Sequence, residues 1–502
     1  MSQAPEGRFS RSVQWQTLNV GVQVIIQLAF IRYLGGILSK PEWGLLGLVL
    51  AFAGVIEIFA QLGVGPSLIQ RKDLSRDQVS SAFWLSMLFG AAFATAVFFS
   101  APRVSTFYQR PEMEPLLQWV ALSFLFAAFA LVPRSLLIRR MDFRSLFWSS
   151  LMAMGLGTGV FGIWAASEGW GVFAYIGALL TQNALLGLNY WWRSKLSIRL
   201  RPHIAQAKPL LRYGMSSTVF NFLNYVATKA DLFVLGKLLP AFRHAEVGIF
   251  ERSMYLMNTP ITVLGKLSDS VLFSGMSGVQ DERERLRGIF LGGTYVVTTL
   301  VIPGVVILEM FTPDVIQLLI GPKLLDAAPI ARILIMAILF RSWIKISDAV
   351  VRAVDAIVPA SWIKFGFCIM VAGSGYLGFR FGLSQLAAGI LLATLLQTLA
   401  MLLLTRRLIP FDWREWALLA LPGLRLGLLA VAVSLPVVYV MAQSHWAIRF
   451  GTGMLAIAMA TFTLAWFRPS ALRAGSFDLL SQVAHRIPFA PLKQRWGKED
   501  GH

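Results

Sequence analysis

The chain is short of charge. Only 14% of its 502 residues are Asp, Glu, Lys or Arg, against about a quarter in ordinary soluble domains, and acids are scarcer than bases, 26 against 45. A water-soluble globular domain is thereby excluded. There is one cysteine, Cys368, so an internal disulfide is excluded and a thiol-ligated metal or redox centre is not expected. The five histidines show no metal-ligand spacing. No GxxxxGK[ST] phosphate loop is present, and no two aspartates stand at i, i+2 as a nucleotide-sugar transferase often needs. ATP hydrolysis and metal-assisted sugar transfer are therefore not expected, nor is any cofactor. The N-terminal stretch MSQAPEGRFSRSVQW lacks a small-residue cleavage site behind a short apolar core, so the first helix is expected to be retained.

What the chain has instead is apolar length. It is 56% hydrophobic, with a mean hydropathy of +0.64. Apolar runs long enough to cross about 30 Å of hydrocarbon recur throughout. Fourteen are read, at 13–34, 43–63, 79–100, 116–133, 146–166, 172–191, 213–235, 247–271, 288–308, 329–350, 358–378, 385–404, 417–441 and 445–467. The expectation is an all-α polytopic membrane protein of about fourteen transmembrane helices.

Lysine and arginine give it an orientation. Counting span ends with their adjoining loops, 28 lie on the side of the N-terminus and 10 on the other. The positive-inside rule then places both termini in the cytoplasm. The net charge of +19 reads as a topological and anionic-lipid signal, because the arginines are scattered over loops and no nucleic-acid face is built.

Seven further bases lie within spans: Lys229, Arg252, Lys266, Arg341, Lys345, Lys364 and Arg425. Five acids join them: Glu57, Asp231, Glu251, Asp269 and Asp348. A charge at mid-helix costs on the order of 2.5–3.5 kcal/mol, so such groups are kept where they pair or meet water. The stripe LFRSWIKISDAVVRAVDA (339–356) is the densest. Its Arg341, Lys345, Asp348, Arg352 and Asp355 step by four and three and fall on one helical face, where Asp348 is expected to order Lys345 and Arg352. Lys266, Asp269, Lys364 and Arg425, near span ends, read as snorkelling side chains. Two polar stripes accompany the charges, Gln16, Gln23 and Gln27 with Asn19 in span one, and Asn221, Asn224, Thr228 and Asp231 in span seven. Each also reads as polar glue between helices.

The chain repeats itself. PEWGLLGL (41–48) opens span two and AEVGIFER (245–252) opens span eight, sharing Glu-x-Gly at an offset of 204 residues. Six helices, an even number, fit in that offset, so the halves share an orientation. Two six-helix lobes related by a pseudo-twofold along the membrane normal are expected, 1–204 and 205–408, followed by two further helices (409–467) and a basic cytoplasmic tail (468–502).

At these residues the sequence resembles a known family. WGLLGLVLAFAGVIEIFAQLGVGPSLIQRKDLS (43–75), MDFRSLFW (141–148), LRYGMSSTVFNFLNYVATKADLFVLGKLL (211–239), GIFERSMYLMNTP (248–260) and IGPKLLDAAPIARIL (320–334) are similar, in order, to blocks of the Wzx-type lipopolysaccharide and exopolysaccharide flippases. The likeness lies nearest the colanic-acid exporters. The chain departs at Gln61, where an acid is usual and Glu57 lies one turn earlier, and at Phe250, where tyrosine is usual. The resemblance implies membership of the multidrug, oligosaccharidyl-lipid and polysaccharide exporter superfamily. It also implies two lobes alternately open to either side of the membrane and a polyprenyl-diphosphate-linked oligosaccharide, such as an undecaprenyl-linked repeat unit, as cargo. Polymerase and chain-length proteins are its expected partners, with the lipid bilayer.

The chemistry of that cargo asks for fixed positive charge and hydrogen bonds in a wet interior. Arg341, Lys345, Lys229 and Arg252 are candidates for the diphosphate, arginine as a bidentate donor and lysine as a point charge. Gln23, Gln27, Asn221 and Asn224 are candidates for sugar hydroxyls. An ion gradient, H+ or Na+, is the expected driver, with Glu57 and Asp231 as coupling carboxylates. The alternative is a drug or cation antiporter of the same superfamily, which would favour a net acidic, aromatic-lined cavity. A membrane glycosyltransferase would need a larger outer domain.

Overall fold

The computed structural model describes residues 5–61, 65, 68, 74–196, 198, 222, 225–226, 228–240, 243–267, 276 and 282–467. The chain is an all-α polytopic membrane protein. Among the described residues nine helices are long and apolar enough to cross a membrane. The expected seventh span, with Asn221 and Asn224, lies largely outside the described residues, as does the basic tail.

In chain order the helices are α1 (Pro5–Ile37), α2 (Lys40–Gln61), α3 (Arg76–Tyr108), α4 (Met113–Arg139), α5 (Phe143–Ser167), α6 (Val172–Ser194), α7 (residues 228–238), α8 (His244–Leu267), α9 (Arg283–Met310) and α10 (Thr312–Leu319). After a 3-10 turn at Pro322–Ala327 come α11 (Ala328–Ile335), α12 (Ala337–Ala353), α13 (Ile357–Phe381), α14 (Leu383–Leu408), α15 (Trp413–Leu418), α16 (Leu421–Val440) and α17 (Trp446–Phe467). Span ten, read as one run, is two helices parted at Met336. Span five carries a π-helical stretch, Gly155–Phe161. There Thr158 Oγ1 donates to Gln182 Oε1 of α6 at 2.7 Å, a side-chain bond of the kind that glues helices in lipid.

Two compact units are drawn from this chain. The first takes Met1–Arg252, Ile316–Ala327 and Val371–Leu386; the second takes Ser253–Val315, Ala328–Met370 and Ala387–His502.

In the first unit the Glu-x-Gly repeat shows its physical purpose. A Cβ on Gly44 of α2 would lie 2.8 Å from the backbone nitrogen of Gly248 on α8, and one on Gly248 would lie 1.8 Å from the carbonyl oxygen of Lys40. The two helices cross with backbones touching, which only a missing side chain permits, and close approach of this kind is what holds helices together where lipid removes the hydrophobic drive. The glutamates are equivalent too. Glu42 Oε2 accepts from the Ser39 backbone N–H and hydroxyl, both at 2.7 Å. Glu246 accepts from Arg243 Nε at 2.6 Å and Nη2 at 2.8 Å. Each acid fastens the residue three positions before it, and Ser39 and Arg243 are themselves 204 residues apart.

In the second unit a charge bridge does the fastening. Arg449 of α17 grips Asp314 of α10, with Nε 3.1 Å from both carboxylate oxygens and Nη2 also donating, while its Nη1 donates to Ala442 O at 3.0 Å. Such a forked contact suits a planar guanidinium. It ties the last helix to the short helix after α9.

Candidate functional site

The charge stripe of span ten runs along α12 in the second unit. Arg341 is 8% exposed, and its Nη1 donates to Asn258 Oδ1 of α8 at 3.0 Å. Lys345, one turn further, is half-buried, and its Cε lies 3.7 Å from where a Cβ on Gly265 would stand. Asn258 and Gly265 are seven residues apart and share a face of α8. The two cations therefore lie together along the same side of the same neighbour. The stripe ends early, because α12 stops at Ala353 and Asp355 adopts a left-handed φ of 56° outside it.

Asp348 departs from expectation. Its carboxylate reaches across to α13, where Oδ2 accepts from Lys364 Nζ at 3.0 Å, with the side chains 8% and 1% exposed. Lys364 is thus an ion-pair partner and does not snorkel. Arg352 Nε donates to the Asp348 backbone oxygen at 3.2 Å. The other carboxylate oxygen of Asp348, Oδ1, is buried without a hydrogen-bond partner among the described residues. Taking two charges out of water is repaid only by close geometry, and a 3.0 Å contact in low dielectric supplies it.

The first unit holds the other candidates. Asp231 on α7 is 1% exposed, with Oδ1 accepting from the Leu232 N–H at 2.7 Å, and Lys229 is half-buried two residues before it. Arg252 is paired with its neighbour Glu251, and its guanidinium carbon lies 4.0 Å from the ring centre of Trp43. That combination of a salt bridge and a cation–π face stabilises a buried arginine in place. Glu251 in turn lies against Gly47 of α2, where a Cβ would come within 2.4 Å of its Cγ. Gln23 Nε2 donates to Asn19 Oδ1 at 3.1 Å along α1, and Gln27 is exposed. Glu57 lies on α2, with its side chain outside the described residues.

Sequence reasoning missed three partners. Asn258 and Trp43 stood in the family-like blocks without a role of their own, and Lys364 was read as a snorkelling side chain. Each owes its role to what lies across from it. No group of three or more His, Cys, Asp or Glu placed to hold a metal ion occurs among the described residues.

Comparison with known proteins bears on the whole arrangement. A family model described as polysaccharide biosynthesis protein matches residues 34–329. The chain is 23% identical over 330 residues to the lipopolysaccharide biosynthesis protein WzxC of Escherichia coli (strain K12), a stretch covering 66% of each chain. It is 22% identical over 347 residues to the teichuronic acid biosynthesis protein TuaB of Bacillus subtilis (strain 168), covering 68% of this chain and 70% of that one. Among solved structures, the lipid II flippase MurJ in an inward closed conformation matches with a TM-score of 0.69 at 13% identity, over 90% of this chain and 99% of that one. An inward-facing multidrug resistance MATE family transporter of the MOP superfamily matches with a TM-score of 0.63 at 18% identity, over 77% and 94%. The fold is that of these membrane transporters.

Proposed function

Because the chain belongs to the polysaccharide biosynthesis protein family, we propose that it is a flippase that moves a polyprenyl-diphosphate-linked oligosaccharide repeat unit from the cytoplasmic to the periplasmic leaflet by alternating access, for exopolysaccharide or lipopolysaccharide biosynthesis. The observation that carries this reading is the pair of cations on α12. Arg341 is buried inside a membrane-protein helix bundle and oriented by Asn258, with Lys345 one turn away on the same face. A positioned guanidinium beside an ammonium matches the two phosphates of a lipid diphosphate, the first by forked hydrogen bonds and the second by charge. A neutral or cationic drug would gain nothing from them, so an antiporter for cations is the weaker reading despite the shared MATE fold.

In this scheme the prenyl chain stays in lipid while the head group passes the α12 cations, and an H+ or Na+ gradient resets the carrier through Asp231 or Glu57. Asp231 is favoured by its burial in a membrane helix, where a carboxylate is kept only if it pairs or meets water. The protein would sit in a bacterial inner membrane with both termini in the cytoplasm, beside polymerase and chain-length proteins.

The experiment is Arg341→Ala in a strain that depends on this protein for polymer export. Undecaprenyl-diphosphate-linked repeat units should accumulate in the inner leaflet while the protein remains in the membrane at normal abundance. Unchanged polymer yield would remove Arg341 from the pathway. Asp231→Asn in proteoliposomes separately tests coupling, with loss of the ion-gradient dependence expected.

A further inference from the structure

The short helix α15 (Trp413–Leu418, WREWAL) joins α14 to α16 and has no buried residue. Its two charges, Arg414 and Glu415, stand between its two tryptophans, and Leu418 is 51% exposed. Its tryptophans are not spread along a surface but gathered. Trp416 meets Trp343 of α12 edge-on with ring centres 4.7 Å apart, and Trp413 lies 6.1 Å from Trp416. The guanidinium of Arg406, at the end of α14, lies 5.4 Å from the ring centre of Trp413. Glu415 holds Arg287 of α9 through an Nη2 contact of 2.5 Å.

Three N–H donors in this neighbourhood end nowhere. Nε1 of Trp343, Nε1 of Trp416 and Nε of Arg287 are all buried and without a hydrogen-bond partner among the described residues. A buried donor left unmade costs roughly 1–3 kcal/mol, and native structures seldom leave even one such group alone. Three around one cluster, unmet among the described residues, point to an acceptor from outside them. The acceptor must carry several oxygens and tolerate positive surroundings. The charge on Glu415 is already met by Arg287, and Arg406, Arg407 and Arg414 stand exposed around the helix.

Placement narrows the chemistry further. A six-residue helix with two tryptophans at the start of the candidate span Trp413–Val440 suits the level of the lipid head groups, where tryptophan rings prefer to sit and where the oxygens on offer belong to phosphodiesters. We propose that α15, with Trp343 and Arg287, forms a binding site for the phosphate of an anionic phospholipid head group. The lipid is a resident of the site and not the cargo. It completes the donor set that the described residues leave open and pins α15 against α12, the helix that carries Arg341 and Lys345.

The test uses the full chain purified in detergent, with binding followed by native mass spectrometry and thermal unfolding. Phosphatidylglycerol should bind and stabilise where phosphatidylcholine does not. The double variant Trp343→Phe with Trp416→Phe keeps both rings and removes only the two N–H donors. It should bind phosphatidylglycerol about tenfold more weakly, the loss expected of two hydrogen bonds, while its melting point in phosphatidylcholine stays at the wild-type value. Equal affinity for the two lipids, or an unchanged preference in the double variant, would overturn the site. A stabilisation reproduced by inorganic phosphate alone would overturn the assignment to a lipid. Selective binding of undecaprenyl phosphate over phosphatidylglycerol would hand the site to the cargo.

Discussion

The two compact units hold their buried charges differently. In the first, Glu251 and Arg252 are neighbours in sequence, with Arg252 over the Trp43 ring and Glu251 against Gly47, so the pair is local in sequence and faces α2. The strength of that unit at α2 and α8 comes from bare backbone at Gly44 and Gly248. In the second, Asp348 and Lys364 are 16 residues apart on successive helices, and Asp314 and Arg449 are 135 apart. Charge there is added to close glycine contacts, such as Gly423 of α16 against the Thr298 carbonyl of α9. In lipid there is no hydrophobic drive between helices, so either close contact or a polar bond must supply it. A local pair is nearly free of consequence for packing, whereas a distant pair is a bolt.

That contrast can be broken by substitution, and the largest effect is expected at the longest bolt. Arg449→Ala leaves Asp314 buried and should cost about 3–5 kcal/mol, the penalty of stripping one partner from a buried pair. Thermal unfolding in detergent should show the largest fall of the set, and a melting point within error of wild type would end the claim. Lys364→Met should follow closely for the same reason. Combined with Asp348→Asn it should recover to within about 1 kcal/mol of wild type, since removing both charges also removes their desolvation cost. Failure of that recovery would show that Asp348 matters beyond the pair. Gly248→Ala forces a methyl into the Lys40 carbonyl and should cost about 1–3 kcal/mol by overpacking. A smaller loss, about 0.5–2 kcal/mol, is expected when Glu251→Gln and Arg252→Met are made together, because only the local pair and the cation–π contact go. If this change proved as damaging as Arg449→Ala, the distinction between the two units would collapse.

The smallest effect sits in the turn after α3. Arg110 is 2% exposed, and its Nε and Nη2 have no hydrogen-bond partner among the described residues. Burial pulls its guanidinium down to about 10, with Glu112 pulling weakly the other way. A base whose pKa falls on folding is penalised while charged, so the penalty is full below pH 10 and lifts as pH rises toward the value of a free guanidinium. Arg110→Gln should therefore melt slightly higher than wild type at pH 8. The gap should close as pH is raised past 10, and a gap that widens instead would contradict the sign.

Much of the fold was legible because membrane helices announce themselves by length. The runs read at 79–100 and 385–404 are helices Arg76–Tyr108 and Leu383–Leu408, longer at the ends where polar residues continue the turn. The Glu-x-Gly repeat was legible as spacing, and its reason, backbone contact, became visible only once both copies were placed together. The π stretch at Gly155–Phe161 and the break at Met336 were invisible, because hydropathy does not register one surplus or missing hydrogen bond. At the candidate site the stripe of Arg341, Lys345 and Asp348 followed from periodicity alone. Asn258 and Lys364 did not, since nothing in a helical period says which neighbour will face it. The snorkelling expected of Lys364 failed for that reason: position along a helix was known, and the facing carboxylate was not.

Asp314 and Arg449 also set a clock on biogenesis. The acid is synthesised 135 residues before its guanidinium, which at translation rates of roughly 5–20 residues per second is a wait of about 7–27 seconds. Until the final helix arrives, that carboxylate must be kept hydrated or sheltered by an insertion factor. A ribosome stalled within those seconds leaves a nascent chain whose last tether is missing, and quality control has an acid without its mate to recognise.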